Sequence, residues 1–306
     1  MAWSKFKSTW VNGNLEFDLE DGHTSADYIL DDNIKLTFGT GSDAKLYWNG
    51  SELQGPNPAA GMWANCPALA YSDISDYYQW TEDFMQLAID NTTGYPVAYT
   101  TTSDTAASPV TLVTGQYGGV VRLLTGATDN NQTSIQAGSG AVGTTVEITD
   151  ASGYELWYEC RISPSIATEC AIFIGLAEEA STDIILDGGA ASFSNTDCIG
   201  FSTNTDTGLD EWDFQYHLAG YVRYTDAAVA DNSALTSTED WHTFGFHFGG
   251  ASVLTPYVDG VAQTAVDTSA ASFPSGEEMS PIVAVKTGTT ATKGVYVDWI
   301  RIVGQR

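Results

Sequence analysis

The residues nearest to chemistry in this sequence are Glu211-Trp212-Asp213-Phe214-Gln215. Side chains alternate along a strand, so Glu211, Asp213 and Gln215 share one face. Two carboxyl groups ~5–5.5 Å apart can cleave a glycosidic bond with retention, and alternate residues of one strand come close to that separation. The third residue of that face, Gln215, is a carboxamide and has no proton to give a leaving sugar oxygen. The chain carries 39 acidic against 11 basic residues, so such a pentad also arises as a solvated strand face. We adopt that reading and expect no enzyme.

Other candidate sites divide in the same way. His217, His242 and His247 lie at no HxH or HxxxH spacing, and His23 is remote in sequence; a zinc site is not expected. His242 shares a strand face with Phe244, Phe246 and Phe248, as a core or rim histidine does. Asp129-Asn130-Asn131 and Asn204 to Asp210 are oxygen-rich loops of the kind that can hold Ca²⁺. Asn, Asp and Gly are equally what tight turns use, and no cofactor is expected. Trp212, Tyr216, Tyr221 and Tyr224 could form an aromatic platform for sugar stacking, or pack into a core. Cys66, Cys160, Cys170 and Cys198 show no CxxC spacing. A Cys160–Cys170 bridge is conceivable, but small buried thiols are the expected state.

The elements that position these residues are strands. Trp241-His-Thr-Phe-Gly-Phe-His-Phe248 alternates with period two. Gly249-Gly250 and Asp259-Gly260 then offer the left-handed backbone that hairpin turns need. Similar runs recur from Val110 to Val303, giving about twelve short strands separated by Gly, Asn, Asp, Ser and Thr, with no helical stripe among them. The 12% aromatic content suits such a β-rich chain. The expected fold is all-β, a sandwich or jelly roll over residues 81–306.

Residues 1–80 form a separate region in this reading. Asn14 to Leu19 alternates as a strand; Ile34, Leu36 and Phe38 share a face, and Leu46 and Trp48 follow a Gly39-Thr-Gly41 turn. Two strands alone are marginal in water, so this hairpin needs a larger surface to pack on. Together with the aromatics of 62–80, it nominates Phe38, Trp48, Trp63, Tyr77, Tyr78 and Trp80 as attachment or oligomer contacts.

The formal net charge is −28 over 306 residues. Phosphate backbones and anionic bilayers repel such a chain, so neither nucleic acid nor a membrane is an expected partner. No apolar run reaches the ~20 residues of a membrane span. The first residues carry no apolar signal core, so Sec export is not expected.

Gly119-Val-Val-Arg-Leu-Leu-Thr-Gly-Ala-Thr-Asp-Asn130, Leu156-Trp-Tyr-Glu-Cys-Arg161, Phe173-Ile-Gly-Leu176, Cys198-Ile-Gly-Phe201, Trp241-His-Thr-Phe244, Tyr257-Val-Asp-Gly260 and Val297-Asp-Trp-Ile-Arg-Ile302 recur in one order. In that order they resemble the concanavalin A-like (laminin-G, lectin and glucanase) jelly roll, in the version found in tailed-phage particle proteins. Asp32 to Gly50 resembles a hairpin of virion structural proteins from such viruses. The resemblance implies a capsid decoration (cement) protein with a small N-terminal β arm. It would be made in the host cytoplasm and carried on the particle surface, where it binds the major capsid protein and sister subunits, as a homotrimer. It also implies two alternatives: a receptor-recognition fibre binding cell-surface glycan, and a jelly-roll glucanase. In the glucanases of the family, Glu211 would match the nucleophile, Asp213 the helper and Gln215 the position of the general acid.

Overall fold

A computed structural model describes residues 62–66, 76–85, 87, 98–104, 109–115, 118–138, 146–150, 154–164, 170–178, 184–185, 196–203, 211–220, 241–250 and 252–306. Six strands elsewhere are described by their backbone. The chain divides into two compact units, Met1–Asn57 and Pro58–Arg306. In the first unit Lys7–Val11 pairs antiparallel with Asn14–Asp18, and Lys35–Phe38, Ala44–Trp48 and Leu53–Gln54 form a three-stranded sheet. The expected hairpin is therefore present, with one strand more than its sequence pattern announced.

The second unit is the expected jelly-roll sandwich of two antiparallel sheets. The first sheet runs Tyr224–Asp231, Glu211–His217, Cys198–Thr203, Cys170–Ala177, Glu277–Thr287, Gln132–Ala137 and Tyr99–Ser103, and Val146–Ile148 also pairs with Glu277–Thr287. The second runs Val261–Ala262, Val253–Val258, His242–Phe248, Leu156–Pro164, Gly294–Gln305, Val121–Leu124 and Val110–Leu112. Val266–Asp267 adds to Val253–Val258 and Tyr77–Glu82 to Gly294–Gln305.

Alternation decides what each sheet turns inward. Trp212, Phe214, Tyr216, Ile199 and Phe201 of the first sheet meet Tyr158, Cys160, Phe244, Phe246 and Phe248 of the second in one buried core. Rings from opposite sheets interlock: Trp212 on Phe244 at 4.3 Å, Phe201 on Phe244 at 5.4 Å, and Phe214 on Phe246 at 5.8 Å between centroids. Such pairs add about 0.5–1.5 kcal/mol each to the burial of their area. The Val253–Val258 hairpin closes through Asp259 and Gly260, with φ of 49° and 75°; positive φ at both central residues matches the right-handed strand twist.

The unit boundary falls at 57/58, not at the expected 80/81. Tyr77–Glu82 is a strand of the sandwich, with Tyr78 opposite Gly304 and Trp80 opposite Ile302. The physical reason is burial: this aromatic run has apolar surface to hide, and the long Gly294–Gln305 strand offers it an open edge. Tyr224–Asp231 lies on the far edge of the first sheet.

Candidate functional site

Strand Glu211–His217 pairs on one side with Cys198–Thr203 and on the other with Tyr224–Asp231. Asp213 and Gln215 share a face as alternation requires, with Trp212, Phe214 and Tyr216 filling the core on the other side, but the face is not the solvated one expected, because Gln215 has no exposed surface. Across that face Gln215 stands opposite Gly200, Gly200 opposite Gly175, and Gly175 opposite Ile282. Gln215 is fully buried and Asp213 half-buried. Farther along the same face, Ala171, Phe173, Ile282 and Ala284 pack under Ile184 and Ile185. The Ile185 amide donates to Gln132 Oε1 at 2.9 Å, and the Lys286 ammonium donates to the Ile185 carbonyl at 3.0 Å. A retaining mechanism asks this face for two carboxyl groups reaching a sugar from an open cleft. Beside Asp213 this face holds a buried amide, Gln215.

The aromatic platform does not form as expected. Trp212 and Tyr216 are fully buried; the Tyr216 hydroxyl donates to the Asp267 carbonyl at 2.9 Å. They lie on the core side of their strand because alternation puts them opposite Asp213 and Gln215 in orientation. Tyr221 lies outside the described residues, and so does the side chain of Tyr224.

The histidines keep separate surroundings. His217 Nδ1–H donates to the Thr196 carbonyl at 2.9 Å. His242 Nδ1 lies 2.7 Å from Asp259 Oδ2, and the Thr243 amide donates to Asp259 Oδ1 at 2.8 Å. His247 stacks on Trp157 with centroids 4.7 Å apart and 11° between planes, and burial pushes its pKa down to about 4. Among the described residues no group of three or more His, Cys, Asp or Glu gathers to hold a metal. Asn130 takes a left-handed φ of 69°, and its amide donates to the Thr287 carbonyl at 2.9 Å; the Asp129 to Asn131 segment works here as a turn. The loop from Asn204 to Asp210 lies outside the described residues. All four cysteines are free thiols. Burial pushes Cys66 and Cys170 up to about 12 and Cys160 higher still, so these three stay thiols at neutral pH.

The nominated contact residues fall into two groups. The side chains of Phe38 and Trp48 lie outside the described residues. Trp63, Tyr77, Tyr78 and Trp80 pack on their own chain: Tyr78 and Trp80 against the main core, and Trp63 and Tyr77 with Met62, Trp157 and Val303 on the outer face of the second sheet.

That outer face is the most chemically distinctive surface of the sandwich, and the strand pattern alone did not reveal it. Met62–Asn65 forms a short 3-10 turn laid across it. Trp63 Nε1–H donates to Glu159 Oε2 at 2.7 Å, and Arg301 donates to the same oxygen from Nε and Nη2 at 3.0 and 2.7 Å. The Arg301 guanidinium lies 4.0 Å over the Trp63 ring and 5.1 Å over that of Trp299. One row along, Arg161 is ion-paired to Asp298 and stands 4.9 Å over Trp241. The signal was in Leu156 to Arg161 and Val297 to Ile302, whose outward positions alternate charge and aromatic. Only their register, Glu159 opposite Arg301 and Arg161 opposite Trp299, brings them together.

No family model and no curated protein matches this chain. Among solved structures it is similar to a Bacillus licheniformis β-glucanase, with TM-score 0.47 and 13% identity over 73% of this chain and 97% of that one. It is also similar to the catalytic domain of an endo-1,3-β-glucanase (laminarinase) from Thermotoga petrophila, with TM-score 0.47 and 12% identity over 76% and 99%. A third is the Emp47p carbohydrate recognition domain, with TM-score 0.45 and 14% identity over 76% and 98%. These likenesses concern the fold and transfer no activity to this chain.

Proposed function

We propose that this chain is a non-enzymatic structural protein of a tailed-phage virion, a decoration protein on the head surface that binds the major capsid protein and sister subunits. The observation that carries the non-enzymatic part is Gln215, an amide with no exposed surface where a glucanase strand would need its proton donor. A glycan-binding reading loses support where Trp212 and Tyr216 turn into the core. The particle assignment rests on the sequence resemblances of the sandwich and of the Asp32 to Gly50 hairpin. In this reading the acidic sandwich is displayed to solvent and unit Met1–Asn57 grips the capsid.

Co-sedimentation with empty heads tests the reading. The full chain pellets with heads, and a chain lacking residues 1–57 stays in the supernatant. The deletion stops at 57 because Trp63 and Tyr77–Glu82 are built into the sandwich. A full chain that ignores heads and releases reducing sugar from β-glucans, with Glu211→Gln abolishing the release, would replace the proposal by the hydrolase.

A further inference from the structure

Strands Cys170–Ala177 and Cys198–Thr203 are antiparallel neighbours, with Ala177 opposite Cys198. Hairpin loops of about 2–5 residues commonly join such a pair, yet here residues 178–197 intervene. The Glu178 amide donates to the Asp197 carbonyl at 2.9 Å and closes the base of that connection. Ile184-Ile185-Leu186 is its one run of large aliphatic residues. Ile184 and Ile185 are buried on the outer face of the first sheet, over Ala171, Phe173, Ile282 and Ala284. Connections of this length within a compact domain usually serve a function. We propose that this face is a binding groove for an extended apolar peptide, and that the chain fills it with its own Ile184 and Ile185. Such a groove stands whether or not the chain belongs to a particle.

Three observations support it. The first is a clamp for main chain. Gln132 and Lys286 face each other across neighbouring strands. Gln132 Oε1 accepts from the Ile185 amide at 2.9 Å, and the Lys286 ammonium donates to the Ile185 carbonyl at 3.0 Å. A facing acceptor and donor thus hold both the N–H and the C=O of one residue. Contacts of that kind read a peptide backbone, whatever its sequence, and leave specificity to the side chains.

The second is the floor. Lys286 stands opposite Ala171, Ala284 opposite Phe173, and Ile282 opposite Gly175. Small residues are set beside large ones, so the face has room for the two branched side chains that sink into it.

The third is the burial of the clamp itself. Gln132 has no exposed surface and Lys286 very little. A buried ammonium is tolerated only where acceptors meet it. The Ile185 carbonyl is one such acceptor, and the carbonyl of any extended peptide offers the same chemistry.

Peptide binding in trans tests this. Replacing both isoleucines in the full chain, Ile184→Asp with Ile185→Asp, should expel the segment. A fluorescein-labelled peptide of sequence 181–188 then reports the groove by anisotropy, at protein concentrations up to roughly 100 μM. The double variant should bind the peptide. The wild type should bind it at least about tenfold more weakly, because a tethered occupant competes at high effective concentration. Adding Lys286→Met to the double variant should weaken binding by about tenfold, the usual effect of losing a hydrogen bond to a charged group. A double variant with wild-type circular dichroism that ignores the peptide overturns the proposal. So does a wild type that binds it equally well, or binding unchanged by Lys286→Met. Hydrogen exchange of the wild type decides the matter if the double variant fails to fold. The Ile185 amide should then exchange through local opening, faster than the amides of Cys170–Ala177. Exchange of Ile185 only through global unfolding would make it fixed core and overturn the proposal.

Discussion

Trp63 and Glu159 are 96 positions apart in sequence, and the indole of one donates to the carboxylate of the other at 2.7 Å. Glu159 is buried, and a buried carboxylate is tolerated only when its lone pairs are used. Here Trp63 and Arg301 use them, while the Trp63 ring lies under the Arg301 guanidinium. The three side chains therefore act as one fastening between the 3-10 turn and the second sheet. Arg301→Ala leaves Glu159 buried with the indole as its remaining donor here, and should cost about 2–3 kcal/mol. Trp63→Phe keeps the ring and loses only the N–H, at about 1 kcal/mol. Urea unfolding of the two single variants and of the double variant measures the coupling; a strictly additive double variant would show that the residues do not act together.

Two facing glycines set a second expectation. A Cβ added at Gly175 would stand 2.1 Å from the Ile199 carbonyl and 2.7 Å from Gly200 Cα, and the converse holds at Gly200. The obstacle is backbone, which cannot swing aside as a side chain can. Gly175→Ala and Gly200→Ala should each cost about 3 kcal/mol or more through forced separation of the two strands. Thermal melting of each variant measures this, and an unchanged midpoint would show that the strands lie farther apart than described.

These examples mark what the sequence could disclose. Trp241 to Phe248, Glu155 to Ile162 and Val253 to Val258 were legible because period-two alternation was unbroken between turn residues. Gln132–Ala137 was not, because its outer positions are polar. Gln132 and Gln136 are nevertheless buried, the first accepting from the Ile185 amide and the second donating to the Ala177 carbonyl at 2.8 Å. Tyr99–Ser103, a run of Thr and Ser with no apolar alternation, pairs with that strand. The shared face of Asp213 and Gln215 followed from alternation. Which side of it met the core did not, since both faces of Glu211–His217 carry large or polar groups. The fastening of Trp63 to Glu159 joins residues too distant for any local pattern to announce.

Trp212 separates a binding role from a packing role. Trp212→Ala removes a fully buried ring that stacks on Phe244, and should cost about 3–5 kcal/mol. Glycan-array signals, if any exist, should fall only in proportion to the folded fraction. A Trp212→Phe variant that melts near the wild type but loses binding to a defined saccharide would restore the platform reading.

His247 gives the sandwich a defined response to acid. Stacked on Trp157 and largely shielded, its imidazole has a pKa lowered from 6.5 to about 4 because burial disfavours the charged form. The unfolded chain therefore binds a proton that the folded chain refuses between those two values. Stability from this residue is complete above pH 6.5 and is lost as the pH falls toward 4. Allowing for its partial exposure, the loss is on the order of 2 kcal/mol. Carboxylates titrate in the same range, so the measurement is a difference. Urea midpoints at pH 7 and pH 4.5 are compared for the wild type and for His247→Phe, which keeps a ring over Trp157 and cannot take up a proton. The wild type should lose more stability on acidification than His247→Phe, and identical losses would mean that the imidazole is protonated in the folded chain as readily as in the unfolded one.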